Sequence, residues 1–266
     1  IFKRTSKGVA PTADGRRFLR HAHNIMDELD KMESIAAEKD ERVQSFRISI
    51  PRGSYIARGF ASFAAELDGS RGIDITIQET NSLQTIYDVA DRRFGLGIVR
   101  YQTKYEQYFL DFLAERRLRY EPVWEFQYVA LLSGAHPLAQ AAQIDLRELR
   151  KYTEIVHGDT AIPYFSGEDT AANGSAPRNK NRIVLFERGN QFELLMRIPT
   201  TFMWVSPIPE EMLSLFHLVQ RSCDFPGNQQ KDVLVFPERY KFTELDKKFI
   251  EKLHESRDEA ASHIYS

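Results

Sequence analysis

Between Pro11 and Pro51 no proline interrupts the chain, and inside that window Phe18, Ala22, Ile25, Leu29, Met32 and Ala36 recur at spacings of 4, 3, 4, 3 and 4. This is a heptad seam, and a seam needs a second helix to pack against. Thr12 supplies an N-cap, and Asp14 a negative charge in the first turn, where the helix dipole favours one. The spacing therefore predicts a helix from Thr12 to about Arg42, roughly 45 Å long at about 1.5 Å per residue. A helix of that length draws its stability from burial. One source is its own domain. The expected source is a partner helix across a dimer, because the flanking segments are too short to cover it.

Ahead of the helix, Ile1-Phe2-Lys3-Arg4 and Gly8-Val9-Ala10 flank a Thr-Ser-Lys-Gly turn, the pattern of a short hairpin. Residues 1–20 hold Lys3, Arg4, Lys7, Arg16, Arg17 and Arg20 against Asp14 alone, so six minus one gives +5 there, in a chain whose formal net charge is −2. The protein is not basic overall, but its front is. Lys3, Arg4 and Lys7 have the character of phosphate contacts, which need charge without base-reading side chains. The first residue is Ile1 and not methionine, so the natural N-terminus is expected to lie upstream.

From Phe46 onward the texture alternates between strand and helix signals, as in an α/β layer architecture with a mainly parallel sheet. Phe46–Ile50, Ile73–Gln78 and Leu96–Val99 read as strands separated by helices over Ser54–Leu67 and Ser82–Arg92. Trp124–Leu132 reads as one further apolar strand. A second α/β unit follows, with strands at Glu154–His157, Arg182–Phe186 and Phe202–Ser206 and a helix over Asn190–Ile198. Asp232–Phe236 and Thr243–Glu255 then read as a strand and a terminal helix. Pro163–Lys180, rich in Gly, Ser, Asn and Pro, reads as a surface loop. A length of 266 residues accommodates one or two such domains.

The same inventory excludes several functions. The lone Cys223 can form neither an intrachain disulfide nor a cysteine metal cluster, and it fits a reducing cytoplasm. No apolar run approaches the roughly 18 residues that span a bilayer. His21, His23, His136, His157, His217, His254 and His263 form no zinc spacing, and there is no nucleophile elbow, phosphate-binding loop or dinucleotide fingerprint. No metal, no cofactor and no enzyme activity is expected.

Phe2-Lys3-Arg4-Thr5, Gly8-Val9 and Thr12-Ala13-Asp14-Gly15 leading into a heptad helix resemble the wing and linker helix of LysR-type transcriptional regulators. Phe46-Arg47-Ile48-Ser49-Ile50 is similar to the first strand of that family's effector domain, and Gly95-Leu96-Gly97-Ile98-Val99-Arg100 to its third. Ser133-Gly134-Ala135-His136-Pro137-Leu138-Ala139 resembles the segment after the first crossover, and Asp145–Leu149 the short helix that follows. Two departures stand out. Gly97 occupies a position that is commonly acidic, and Arg197-Ile198-Pro199-Thr200-Thr201 replaces a Gly-containing turn. The resemblance implies a wing remnant over 1–11, a dimerising linker helix over 12–43, and an effector-binding domain over 44–266. That domain would be similar to periplasmic binding proteins, with subdomain I over about 46–123 and 223–258 and subdomain II over about 124–222. It also implies a cytoplasmic bacterial homodimer, with a tetramer as the family's further assembly. The partners would be DNA, read through a winged helix-turn-helix, and a small-molecule effector, with no membrane partner. The competing reading is a solute-binding receptor without DNA binding, which would have no use for a heptad seam.

In open α/β sheets, ligands sit beyond the carboxyl ends of the strands, where helix N-termini present unpaired N–H groups. The first strand ends at Arg52, Gly53 and Ser54 and the second at Asn81 and Ser82, so both turns face one cleft. Arg100 and Tyr101 are expected at the crossover after the third strand. The second unit contributes His157, Asp159, Arg188 and Ser206. Ser54 and Ser82 double as expected helix caps, and Arg52 could pair a ligand carboxylate. The Trp124, Phe126 and Tyr128 alternation reads as sheet packing.

Overall fold

The computed structural model describes residues 1–5, 8–19, 21–22, 25, 29, 32, 43–158, 179–186, 189–225 and 227–262. They fall into two compact units, residues 1–44 with 68–74 and residues 45–67 with 75–266.

In the first unit, β1 (Phe2–Thr5) and β2 (Gly8–Pro11) form the expected antiparallel hairpin, with Phe2 opposite Pro11. Residues 13–19, 21–22, 25, 29 and 32 are helical and are denoted α1. Thr12 caps this helix as expected: its Oγ1 accepts the Gly15 N–H at 3.0 Å. Its own N–H donates to the Ile1 carbonyl at 2.8 Å. The same approach explains Gly15, because a Cβ there would lie 1.9 Å from the Ile1 carbonyl oxygen. Along α1, Phe18, Ile25, Leu29 and Met32 are exposed in the single chain. Ala22 is half-buried. Ala36 and Lys7 lie outside the described residues, while Lys3 and Arg4 are exposed on β1.

The chain then runs through β3 (Val43–Ile50), α2 (Ser54–Ala65), β4 (Gly72–Glu79), α3 (Ser82–Ala90), β5 (Leu96–Gln102), α4 (Glu106–Glu115) and β6 (Leu118–Gln127). It crosses to a second lobe through β7 (Val129–Ser133), α5 (Leu146–Leu149), β8 (Thr153–His157), β9 (Arg182–Leu185), α6 (Gln191–Arg197), β10 (Thr201–Val205), α7 (Glu210–Leu215) and β11 (Leu218–Arg221). It returns to the first lobe through β12 (Gln229–Pro237) and α8 (Glu244–Ser262). Each lobe holds a five-stranded sheet, in the orders β4-β3-β5-β12-β6 and β11-β7-β10-β8-β9. In both, parallel pairs (β3 with β5; β8 with β9 and β10) sit beside antiparallel return strands. The α/β class and two-lobed architecture are as the sequence predicts, but the sheets are mixed and not mainly parallel, because β7 and β12 each run antiparallel to both neighbours.

The cores follow from the strand patterns. Phe46, Ile48 and Ile50 alternate inward on β3, and Phe46 packs against Phe63 of α2 and Phe249 of α8 with ring centroids 4.9 and 5.1 Å apart. The two helices approach so closely that a Cβ on Gly59 would lie 2.9 Å from the Leu253 Cα. Gly97 has a comparable reason, since a Cβ there would meet the Thr85 and Val89 side chains at 2.6 and 2.8 Å. An acidic residue has no room at that position. The buried carboxylate of this layer belongs instead to Asp88 on α3, which accepts from Ser49 Oγ at 3.2 Å, Gln84 Nε2 at 2.8 Å and Arg93 Nη2 at 2.6 Å.

The single strand expected over Trp124–Leu132 is two strands. β6 ends at Gln127, later than the expected boundary near 124, and β7 begins at Val129 in the other sheet. Both pieces are apolar, so hydropathy shows no break between them. At the break sits Asn228, a buried residue just ahead of the return strand β12. Its Oδ1 accepts the Tyr128 N–H at 3.0 Å, and its Nδ2 donates to the carbonyls of Tyr128 and Cys223, each at 3.0 Å. One amide thus clips together the two segments that pass between lobes. Sequence reading also missed α4, α7 and β11, and stopped β5 short of Gln102. The turn before β10 closes without glycine because Thr201 Oγ1 donates to the Ile198 carbonyl at 2.8 Å.

His136 opens the second lobe's first connection. Its Nδ1 accepts the Leu138 N–H at 3.0 Å and its ring packs edge-on against Tyr152, 4.5 Å away. Burial holds His136 and His254 below the ordinary imidazole range. Below about pH 6.5 the unfolded chain therefore binds more protons at these sites than the folded one. Their contribution is fully present above that pH and is lost as pH falls through the folded values. Thermal denaturation between about pH 8 and 5 should show Tm falling, and His136→Gln should flatten the slope. An unchanged slope would place the titrating groups elsewhere.

Candidate ligand-binding cleft

A cavity of about 360 Å³ lies between the lobes, where the β3–α2 and β4–α3 turns face the ends of β8 and β10 and the first residue of α6. Arg52, Gly53, Ser54, Asn81, Ser82, Arg100, Tyr101, His157 and Ser206 all line it. Asp159 and Arg188 lie outside the described residues.

The roles of the two serines differ from expectation. The N-cap of α2 is Gly53, which supplies no side chain, and the first turn holds no acidic residue. Ser54 is already helical and is buried. The cap of α3 is Asn81, whose Oδ1 accepts the Gln84 N–H at 2.9 Å. Each helix therefore begins one residue earlier than a serine cap requires, because the extended cap conformation falls on Gly53 and Asn81. Ser82 ties α3 to the neighbouring strand instead: its Oγ donates to the Arg100 carbonyl at 2.5 Å and accepts the Arg100 N–H at 3.0 Å.

Arg100 also differs from expectation. It sits within β5 and not after it, and its side chain is 8% exposed. The guanidinium donates to Asp232 from Nε at 2.7 Å and from Nη2 at 2.6 Å, and to the Arg52 carbonyl from Nη1 at 2.9 Å. Asp232, fully buried on β12, also accepts the Tyr55 hydroxyl at 2.5 Å. Burial alone would lower the Arg100 pKa, but the facing Asp232 carboxylate outweighs it and holds the guanidinium charged. Burial, and then the same carboxylate, push the Tyr55 phenol well up. The Arg100 guanidinium also lies 5.0 Å from the Phe126 ring centroid. The aromatic alternation thus packs the sheet and covers this ion pair, and Tyr128 in addition lines the cavity.

Tyr101 is turned into the first lobe's core. Its ring stacks on Phe109 at 5.0 Å, and its hydroxyl donates to Glu106 Oε1 at 3.3 Å. Arg52 reaches the other way, donating from Nη2 to the Phe186 carbonyl at 3.1 Å. His157 ends β8, and Ser206, buried, follows β10.

The turn that ends the second strand brings Thr80 to the cavity with Asn81 and Ser82, while sequence reading missed Gln102, Tyr128, Gln191, Trp204 and Gln230 in the cavity wall. Gln102 obeys the strand-end rule and was within reach of it. Tyr128 reaches the cavity from the β6–β7 crossover, and Gln230 from β12, where it pairs with Gln102 of β5. Among the described residues no cluster of three His, Cys, Asp or Glu side chains could hold a metal ion, and no helix is long and apolar enough to cross a membrane. Burial pushes the Cys223 thiol up to about 11, which leaves it unreactive.

Removing one member of a buried ion pair leaves the other uncompensated, at a cost of about 3–5 kcal/mol. Asp232→Ala should therefore destabilise far more than Tyr55→Phe, which deletes one hydrogen bond worth about 1–3 kcal/mol. Urea denaturation of both variants checks this, and equal small losses would contradict it.

Residues 58–182 match the family model of the LysR substrate binding domain. Compared by sequence with curated proteins, the chain has no significant match. Among solved structures it is similar to the effector binding domain of QuiR in complex with shikimate, at 15% identity over 83% of this chain and 99% of that one, with a TM-score of 0.52. The regulatory domain of NMB2055 (MetR), a LysR family regulator from N. meningitidis, is 13% identical over 81% of this chain and 94% of that one, with a TM-score of 0.53. HinK, a LysR family transcriptional regulator from Pseudomonas aeruginosa, is 16% identical over 92% and 80%, with a TM-score of 0.53. At these identities the likeness is one of fold. The segment 58–182 therefore belongs to the LysR substrate binding domain family, and the two-lobed fold and strand-end cavity described above are those of the LysR-family regulatory domains to which the chain is similar.

Proposed function

We propose that the cavity binds a small effector carrying an anionic group, and that its occupancy biases how a homo-oligomer sits on DNA. The observation that carries this reading is the first turn of α2. Its N–H groups open at the cavity with no capping side chain and no acidic neighbour, the arrangement that favours an anion. Arg52, Gly53, Ser54, Asn81, Ser82, His157 and Ser206 are the proposed contacts, with Asp159 and Arg188 added from the sequence pattern. Arg100 and Tyr101 act as walls and supports. The likeness to the QuiR domain, complexed with shikimate, supports a hydroxylated carboxylate as the class. The effector acts by population shift, to no greater extent than its differential affinity for two lobe arrangements. Calorimetry with a panel of small carboxylates, shikimate included, should find a ligand whose affinity drops about tenfold in Ser54→Ala while Tm is unchanged. A ligand indifferent to Ser54, Asn81 and Arg52 would move the site elsewhere.

In the same reading, the protein works in the bacterial cytoplasm. Lys3, Arg4 and Lys7 contact DNA phosphates beside a winged helix-turn-helix, and the α1 seam joins two chains, with a tetramer as the further assembly. The exposure of Phe18, Ile25, Leu29 and Met32 in the single chain supports a covering partner. Leu29→Asp, which would bury an unpaired carboxylate, should convert the dimer to monomer by light scattering. An unchanged mass would show the seam packed in another way.

A further inference from the structure

The chain passes between the lobes at Tyr128 and again on the way from β11 to β12, so the lobes are hinged along one side of the cavity. Side chains on α2 and just ahead of it also bridge the lobes. Arg52, just ahead of α2, donates to the Phe186 carbonyl beyond β9 at 3.1 Å. Arg58, in the second turn of α2, pairs with Glu211 in the first turn of α7 at 2.5 Å. The backbone of Arg52 is itself fixed from below by Arg100 Nη1 at 2.9 Å. The α2 element therefore starts from a rigid anchor and reaches the opposite lobe twice.

We propose that α2 carries a latch across the cleft, whose tunable part is the Arg58–Glu211 ion pair, and that making or breaking this pair sets the balance between closed and open lobes. Magnitude decides which process such a pair can control. With side chains 37% and 66% exposed, the pair is an ordinary surface ion pair. Such a pair changes an equilibrium by about two- to five-fold. That is negligible against the folding equilibrium, yet it is sizeable for a hinge whose two positions are nearly balanced. Its position supports the same assignment. Glu210 and Glu211 open α7, where the helix dipole holds a carboxylate in place. The partner, Arg58, lies on the helix whose first turn opens at the cavity. If that turn holds an effector, as proposed above, latch and effector act on one helix. Each then strengthens the other by the same factor. An exposed pair is also screened by salt, so the latch should loosen as ionic strength rises.

The test needs no ligand, so its failure is separable from failure of the effector reading. Spin labels at Lys247→Cys on α8 and Glu193→Cys on α6 report the distance between lobes, with labelled chains diluted into unlabelled protein so that only distances within one chain are read. Arg58→Glu and Glu211→Arg should each move the population toward longer distances by about two- to five-fold, with Tm unchanged. The double charge swap should restore the parental distribution. Raising salt from about 0.05 to 0.5 M should open the parent protein and leave each single variant unaffected. Parental distributions in both single variants, or a double variant as open as the singles, would overturn the latch.

Discussion

The buried pairing of Arg100 with Asp232 is the constraint around which the ligand-facing half of the molecule is arranged. Neither residue is free to move without leaving a charge unpaired in the core, so the pair fixes β5 against β12. The spare guanidinium nitrogen then holds the Arg52 carbonyl at the start of α2, and the backbone of the same arginine holds Ser82 at the start of α3. Two helix N-termini that would otherwise be set by loop packing are thus referenced to one point. A cavity that recognises a small anion depends on such registration, because electrostatic preorganisation is lost when donors drift.

The second lobe is joined to the first through the segments that lead from β6 to β7 and from β11 to β12. Asn228 clips the two crossover segments together. Its amide imitates a rung of a sheet at the point where both sheets have ended. On the proposed reading, the Arg58–Glu211 latch and a bound effector act on one equilibrium between lobe arrangements, which a ligand of modest affinity can shift.

Much of this was legible in the sequence where the signal is local. The hairpin, the Thr12 cap, the βαβαβ order and the placement of Arg52, Gly53, Asn81 and His157 at one cavity all follow from periodicity, turn residues and the strand-end rule. What was not legible depends on partners far apart in the chain. Asp232 claims Arg100 across 132 positions, and nothing near either residue announces it. The break at Tyr128 is invisible to hydropathy because the strands on both sides are apolar, and its hydrogen-bond partner Asn228 is 100 positions away. The serine caps were misplaced by one residue because both Gly53 and Asn81 adopt the extended cap conformation as readily as serine. Gly97 read as a missing polar contact, whereas the structure shows a site too crowded for any side chain, with Asp88 supplying the carboxylate from the adjacent helix.

The most direct test of the central claim is to follow the backbone amides by nitrogen-15 NMR while titrating the protein with an acid that binds it. If the uncapped first turn of α2 receives the anion, the largest shifts should fall on Gly53, Ser54 and Tyr55, with Asn81 and Ser82 next and the outer face of α8 silent. Largest shifts on the far side of either sheet, with the α2 turn unmoved, would contradict the account and leave the cavity without its assigned role.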